Sequence, residues 1–262
     1  MPVSLGQILA TTERTIPALK GRRRELERLA AATAPGPSFR AALGGPTVGL
    51  IAEVKRRSPS AGSIREDLDP ASRAAGYAFG GAAAISVLTD GPFFGGSLDD
   101  LRSVVARVDV PVLRKDFILS EEQLLEARAA GASAVLLIVR ALTPTRLEAL
   151  RRFAGDLELT ALVETHTAAE ISAALDAGAE IVGINSRDLD TFRIDIDGAW
   201  RLLGAIPSHV IAVAESGMAS LDDVARAADA GADAVLIGTA LSAADDPETL
   251  ARQISGVRRH GR

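Results

Sequence analysis

From Val48 onward, short apolar runs alternate with longer polar stretches of helical period. The runs are Val48–Val54, Ala83–Leu88, Val110–Arg114, Ala134–Val139, Thr160–Glu164, Ile181–Ile184, Val210–Ala214 and Ala234–Ile237. They are apolar almost throughout, which suits parallel strands covered on both faces. The stretches between them carry helix-start signals. Ser120-Glu-Glu-Gln123 and Thr167-Ala-Ala-Glu170 have the form of capping boxes. Thr143-Pro144 and Asp246-Pro247 place an N-cap residue before a proline, and Ser97 and Ser220 are further N-cap candidates.

The helix ends repeat as well. Gly81-Ala82, Gly131-Ala132, Gly178-Ala179 and Gly231-Ala232 each stand just before an apolar run. Glycine there fits a left-handed helix end. The recurrence at about 50 residues corresponds to two strand–helix units, a quarter-barrel repeat. Eight such units predict an α/β fold, a (β/α)8 TIM barrel spanning 46–262. A doubly wound open sheet is the rival, but no G-x-G-x-x-G follows a strand.

Residues 1–45 break this rhythm and predict an N-terminal helical extension packed on the barrel, within a single domain overall. Leu5 to Ala32 reads as one helix with Ile8, Leu19, Leu26 and Leu29 as its apolar positions. The basic run at Lys20 and Arg22 to Arg24 reads as a solvated helix face. Pro35, Gly36 and Pro37 end the segment.

Composition narrows the functional classes. The chain has 262 residues, enough for a large core without covalent staples. It has no cysteine, which excludes disulfides, thiolate metal sites and cysteine nucleophiles. The three histidines lack ligand-like spacing, so no metal site is expected. A net charge of −5 argues against nucleic acid as a partner. No apolar run reaches membrane-spanning length and the N-terminus is too polar for a signal peptide. The expectation is a cytoplasmic protein with no membrane partner and no cofactor.

Charge then appears at the ends of five strands. The first ends Glu53-Val54-Lys55, with the two charges on one face. The others end Arg114-Lys115-Asp116-Phe117, Glu164-Thr165-His166, Asn185-Ser186-Arg187-Asp188 and Glu215-Ser216-Gly217. One charged strand end is an exit to solvent. Five at the same end of a barrel point to pairing or to a ligand, because buried unpaired charge is costly. That end is where barrel enzymes keep their chemistry. Glycine segments after the seventh and eighth strands, around Gly217 and Gly238-Thr239, suit backbone binding of phosphate, with Lys55 as charge partner.

These residues together resemble the indole-3-glycerol phosphate synthase family over nearly the whole chain. The likeness rests on AEVKRRSPSAG (52–62), ISVLTD (85–90), FFGGS (93–97), VLRKDFI (112–118), LVETH (162–166), GINSRDL (183–189), AESGM (214–218) and VLIGTAL (235–241). It implies a cofactor-free enzyme that converts 1-(2-carboxyphenylamino)-1-deoxyribulose 5-phosphate into indole-3-glycerol phosphate, releasing carbon dioxide and water. The partner implied is that phosphorylated small molecule, handled by a monomer or weak homo-oligomer.

By the same resemblance Lys115 is the general acid and Glu164 the general base. Glu53 and Asn185 orient the substrate, while Arg187, Glu215 and Ser216 complete the polar ring. Lys55 and the backbone amides of Gly217, Gly238 and Thr239 hold phosphate. Phe94, Phe117, Leu136 and Leu189 wall the aromatic ring, and Ser58 and Pro59 lie on a closing loop. Thr239, Ser242 and Met218 depart from common family residues. The last two read as packing swaps, and His166 reads as a loop residue without a role.

Two other functions stay open on sequence alone. Lys115 at a strand end suits a Schiff-base lysine of the aldolase type. A non-enzymatic scaffold or metabolite sensor has no need of so many rim charges.

Overall fold

The computed structural model describes residues 3–59, 62–188, 191 and 193–261. Eight parallel strands close into a barrel. They are β1 Gly49–Val54, β2 Ala84–Leu88, β3 Val112–Lys115, β4 Ala134–Ile138, β5 Thr160–Thr165, β6 Ile181–Asn185, β7 Ile211–Glu215 and β8 Ala234–Ile237. Strand β1 closes the ring, with Glu53 beside Ser86 of β2 and Ala52 beside Ile237 of β8.

The eight apolar runs thus all become strands, within one or two residues of the expected ends. Gly81, Gly131, Gly178 and Gly231 all have positive φ, between 79° and 101°, as the helix-end reading requires. Ser97, Thr143, Thr167, Ser220 and Asp246 each cap a helix through their side chains. Glu170 departs from the expected capping box. Its carboxylate accepts from the backbone N–H of His166 at 2.7 Å, the residue before the cap.

The N-terminal segment differs from its sequence reading in three ways. Leu5 to Ala32, read as one helix, forms two, α1 Leu5–Gly21 and α2 Arg23–Ala32, divided at Arg22, and a short helix Phe39–Ala42 follows. Leu29 is 41% exposed and not part of the apolar face. The basic run is not uniformly solvated, since Arg23 pairs with Glu121 at 3.0 Å and with Glu122 at 2.8 Å on the barrel helix Glu121–Ala129. Leu26 and Ala30 pack on Leu125 of that helix, so apolar burial and one arginine together dock α2.

Side chains alternate between two cores. Those pointing outward from the strands, such as Leu50, Ala52, Val87, Leu137, Val163 and Val235, meet the surrounding helices. Those pointing inward include Ile51, Leu113, Leu162 and Val213, from strands β1, β3, β5 and β7. Barrel interiors fill in such layers of four from alternate strands. Phe39 and Leu43 join this inner cluster with no exposed surface. Leu43 seats against Gly49 at the start of β1, where a Cβ would meet it at 3.2 Å. These residues plug the floor. Among the described residues, no helix is long and apolar enough to cross a membrane.

Candidate active site

Two residues above the Ile51–Leu113–Leu162–Val213 layer, the same four strands present Glu53, Lys115, Glu164 and Glu215. The period of two along a strand turns them to the same inner face. All four are nearly buried, the three glutamates at 4% side-chain exposure or less. The Lys115 ammonium lies 3.4 Å from Glu215 Oε2, 3.6 Å from Glu164 Oε2 and 3.8 Å from Glu53 Oε2. Lys55 adds a second cation, 2.9 Å from Glu53 Oε1.

This layout fixes the charge states. Burial alone pulls the Lys115 ammonium down, but Glu215, Glu164 and Glu53 outweigh it and hold the group above the ordinary lysine range. Burial opposes the charge on Glu53 too, yet Lys55 and Lys115 keep its carboxyl below the usual value. Glu215 goes the other way. Burial, reinforced by Glu164 and Glu53 against the pull of Lys115, pushes it up to about 8. The cluster thus sets the Lys115 ammonium against Glu53, held toward its ionised form, and Glu215, held toward its protonated form, with Glu164 between Lys115 and the strand β5 end.

Two glycines make room for the carboxylates. A Cβ on Gly183 of β6 would strike Glu215 Oε1. One on Gly238 would strike Glu53 Oε1 and come within 3.0 Å of Lys55 Nζ. The glycine beyond β8 therefore seats the acid–lysine pair as well as turning the chain. After β7 the chain turns through two left-handed residues, Ser216 at φ 66° and Gly217 at φ 82°. Ser186 braces that turn by reaching the Glu215 carbonyl at 3.1 Å and the Ser216 carbonyl at 3.0 Å.

Above the cluster lies a cavity of about 480 Å³, within the size range of small-molecule sites. Its walls include Glu53, Lys55, Ser58, Pro59, Phe94, Lys115, Phe117, Leu136, Glu164, Asn185, Arg187, Ser216, Gly217, Gly238 and Thr239. Phe94 and Phe117 stand with ring centres 6.1 Å apart, forming an apolar side opposite the charges. Asn185 is buried, and its Oδ1 accepts from the Arg187 N–H at 3.0 Å. Glu215, expected on the rim, does not line the cavity; it lies buried beneath it and joins the cluster through its contact with Lys115. Leu189, expected on the aromatic wall, lies outside the described residues.

Not every charge at a strand end belongs here. Arg114 points outward from β3 and is buried against the helix layer. It bonds Asp116 at 3.0 Å, Glu126 at 3.0 Å, Thr89 at 3.1 Å and the Gln123 carbonyl at 2.9 Å. Asp116 is drawn into this network and caps the Phe117 N–H at 2.8 Å. Arg114 thus secures the strand end that carries Lys115.

Two residues acquire contacts the sequence reading did not give them. Ser242 is more than a packing swap. Its hydroxyl donates to the Glu53 carbonyl and accepts from the Lys55 N–H, both at 3.2 Å, tying the helix Thr239–Ala243 to the functional end of β1. Met218 is buried in the outer core, as a packing residue is. His166 does lie in the bend just beyond β5, but its side chain is turned inward. Its side chain is 5% exposed and sits between Glu164 and Glu170. No local pattern announces either contact, because each partner is fixed only when distant elements meet or a strand ends.

Fold and rim together define a (β/α)8-barrel enzyme with a lysine–carboxylate centre beneath a half-apolar cavity. A family model described as indole-3-glycerol phosphate synthase matches residues 5–254. An indole-3-glycerol phosphate synthase of Saccharopolyspora erythraea is 48% identical over 252 residues, covering 96% of this chain and 92% of that protein. One from a Nocardioides species is 54% identical over 223 residues, covering 85% and 84%. The chain belongs to the indole-3-glycerol phosphate synthase family, the barrel carboxy-lyases of tryptophan biosynthesis. Among solved structures, thiamine phosphate pyrophosphorylase from Pyrococcus furiosus superposes with a TM-score of 0.61 at 16% identity, over 80% of this chain and 94% of that one. That likeness concerns the fold alone.

Proposed function

We propose that the rim cluster closes the indole ring of indole-3-glycerol phosphate, with Lys115 as general acid and Glu164 as general base. The substrate is 1-(2-carboxyphenylamino)-1-deoxyribulose 5-phosphate. The ring carbon that bears the carboxylate attacks the ketone carbon, and the new alkoxide takes a proton from Lys115. The carboxylate then departs as carbon dioxide, and its bonding pair restores the aromatic ring. The hydroxyl then leaves as water on taking a second proton from Lys115, which solvent has reprotonated, while Glu164 removes a proton from the neighbouring CH2 and the indole is complete.

The observation that carries this reading is the Lys115 ammonium held within 4 Å of three glutamates on the cavity floor. A lysine so surrounded stays protonated, as a proton donor to a carbonyl oxygen must be. A Schiff-base lysine needs the neutral amine, which these carboxylates disfavour. The aldolase-type alternative loses its support there.

The remaining roles follow from position. Lys55 packs against Gly238, in a cavity that the backbone of Thr239 and Gly217 also lines. That group suits the substrate phosphate. Phe94, Phe117 and Leu136 suit the carboxyphenyl ring, and excluding water there strengthens the charge contacts beneath it. Glu53, Asn185, Arg187 and Ser216 surround the space left for the sugar chain, with Glu215 beneath it against Lys115. Ser58 and Pro59 suit a loop that closes over it. On this reading the enzyme works in the cytoplasm without a cofactor, as a monomer or weak homo-oligomer.

The test is product fluorescence with purified protein. Lys115→Ala and Glu164→Gln are each expected to reduce turnover by about 10²-fold to 10⁴-fold, the scale of positioned acid–base catalysis. Near-normal turnover in both variants overturns the assignment.

A further inference from the structure

His166 follows Glu164 by two residues, so both lie on one side of the β5 end. Its Nε2 is 3.8 Å from Glu164 Oε1, and its Nδ1 is 3.4 Å from Glu170 Oε2 on the helix Ala168–Asp176. Glu170 is itself held in place. One oxygen accepts the His166 backbone N–H, and the other faces Arg140 Nε at 3.4 Å in the turn after β4. Arg140 in turn pairs with Asp188 at 3.0 Å beyond β6. The other Glu164 oxygen faces Lys115. A row of alternating charge therefore runs outward from the cavity floor through Lys115, Glu164, His166, Glu170, Arg140 and Asp188.

A neutral imidazole in that row would leave two carboxylates facing each other across an uncharged ring. A protonated one complements both. Burial and Arg140 oppose the charge, but Glu170 and Glu164 prevail and hold His166 above the ordinary histidine value. Glu170, correspondingly, is kept below the ordinary carboxylate range by His166 and Arg140 despite its partial burial.

We propose that His166, set between the carboxylates of Glu164 and Glu170, is a positioning residue that fixes the Glu164 carboxylate for its proton transfers. The inference rests on Glu164 being the base. His166 touches no reacting atom. Glu164 has one oxygen toward Lys115 and the cavity and the other toward the imidazole, which backs the carboxylate at ion-pair rather than hydrogen-bond distance.

The experiment measures kcat and KM against pH for wild type, His166→Gln, Glu164→Gln and the double variant. Glutamine keeps much of the reach of histidine and carries no charge. His166→Gln is expected to lower kcat by about tenfold while KM changes by less than about twofold. In the Glu164→Gln background the same substitution adds no further loss. Glu170→Gln keeps the imidazole but removes its outer partner. Its kcat is expected to decline at lower pH than in wild type, as His166 loses its proton earlier.

A wild-type kcat profile in His166→Gln, with Glu164→Gln impaired, overturns the inference. So does a full additional loss in the double variant. If His166→Gln does not fold, an unchanged profile in Glu170→Gln overturns it. Wild-type turnover in Glu164→Gln overturns the underlying assignment of the base instead.

Discussion

Two neighbouring layers of the barrel interior are separated by only two residues along each of four strands. The lower is Ile51, Leu113, Leu162 and Val213; the upper is Glu53, Lys115, Glu164 and Glu215. Depth does not distinguish them, since Leu162 is fully buried and Glu164 is 2% exposed. Chemistry does. Each lower side chain stabilises the fold by about 1.5–3 kcal/mol through burial. The upper layer is tolerated because its charges compensate one another, an arrangement that seldom improves on apolar packing. The barrel thus places stability and reactivity in adjacent layers of one core, divided by a single step of the strand repeat.

The largest break in this contrast is expected at Gly238, which permits the upper layer without belonging to it. Gly238→Ala inserts a methyl group where Glu53 and Lys55 now sit. Displacement of that pair by about an ångström is expected to cost about 10²-fold in kcat/KM, with the thermal midpoint nearly unchanged. A variant with wild-type kcat/KM removes Gly238 from the account of the site.

The lower layer gives the opposite signature. Leu162→Ala is expected to lose about 2–5 kcal/mol in denaturant unfolding, the cost of a core cavity. Turnover at low temperature should change far less than in Gly238→Ala. Equal damage to turnover from both variants would erase the functional boundary between the layers.

The smallest expected effect is a slope. Glu215 binds its proton more tightly in the folded state, up to about 8 against 4.5 for the free group. Its share of stability is therefore complete below about 4.5 and is lost as pH rises through about 8. Glu215→Gln should flatten the decline in unfolding free energy across that window. An unchanged slope would show that Glu215 is ionised in the folded protein at neutral pH.

How much of this was legible in the sequence depended on how local the cause was. The strands were legible because Ile181–Ile184 and its counterparts are apolar on both faces, as parallel barrel strands must be. The helix ends were legible because Gly131 and Gly178 answer a backbone need within their own turn. Lys115, Glu164 and Glu215 stood out as charges closing apolar runs, and the structure brings them together at one level.

What escaped were relations across long sequence distances. Ser242 joins Glu53 and Lys55 from nearly the other end of the chain. Arg23 appeared to be one of several solvated basic residues because its acidic partners lie on a distant barrel helix. Arg114 and Lys115 looked alike in the sequence, yet the strand period sends one to the helix layer and the other to the cavity. His166 is a different case, since its partners Glu164 and Glu170 are only two and four residues away. A histidine at a strand end carries no mark of what faces it until the helix bearing Glu170 folds back.

The plugged floor has a consequence for traffic. Phe39 and Leu43 seal the inner cluster at the end opposite the cavity, so among the described residues the barrel is a blind vessel with its opening at the rim. For the proposed reaction, carbon dioxide and water must leave through the doorway the substrate used, past the still-bound indole precursor or after it. Departure becomes a queue at one exit.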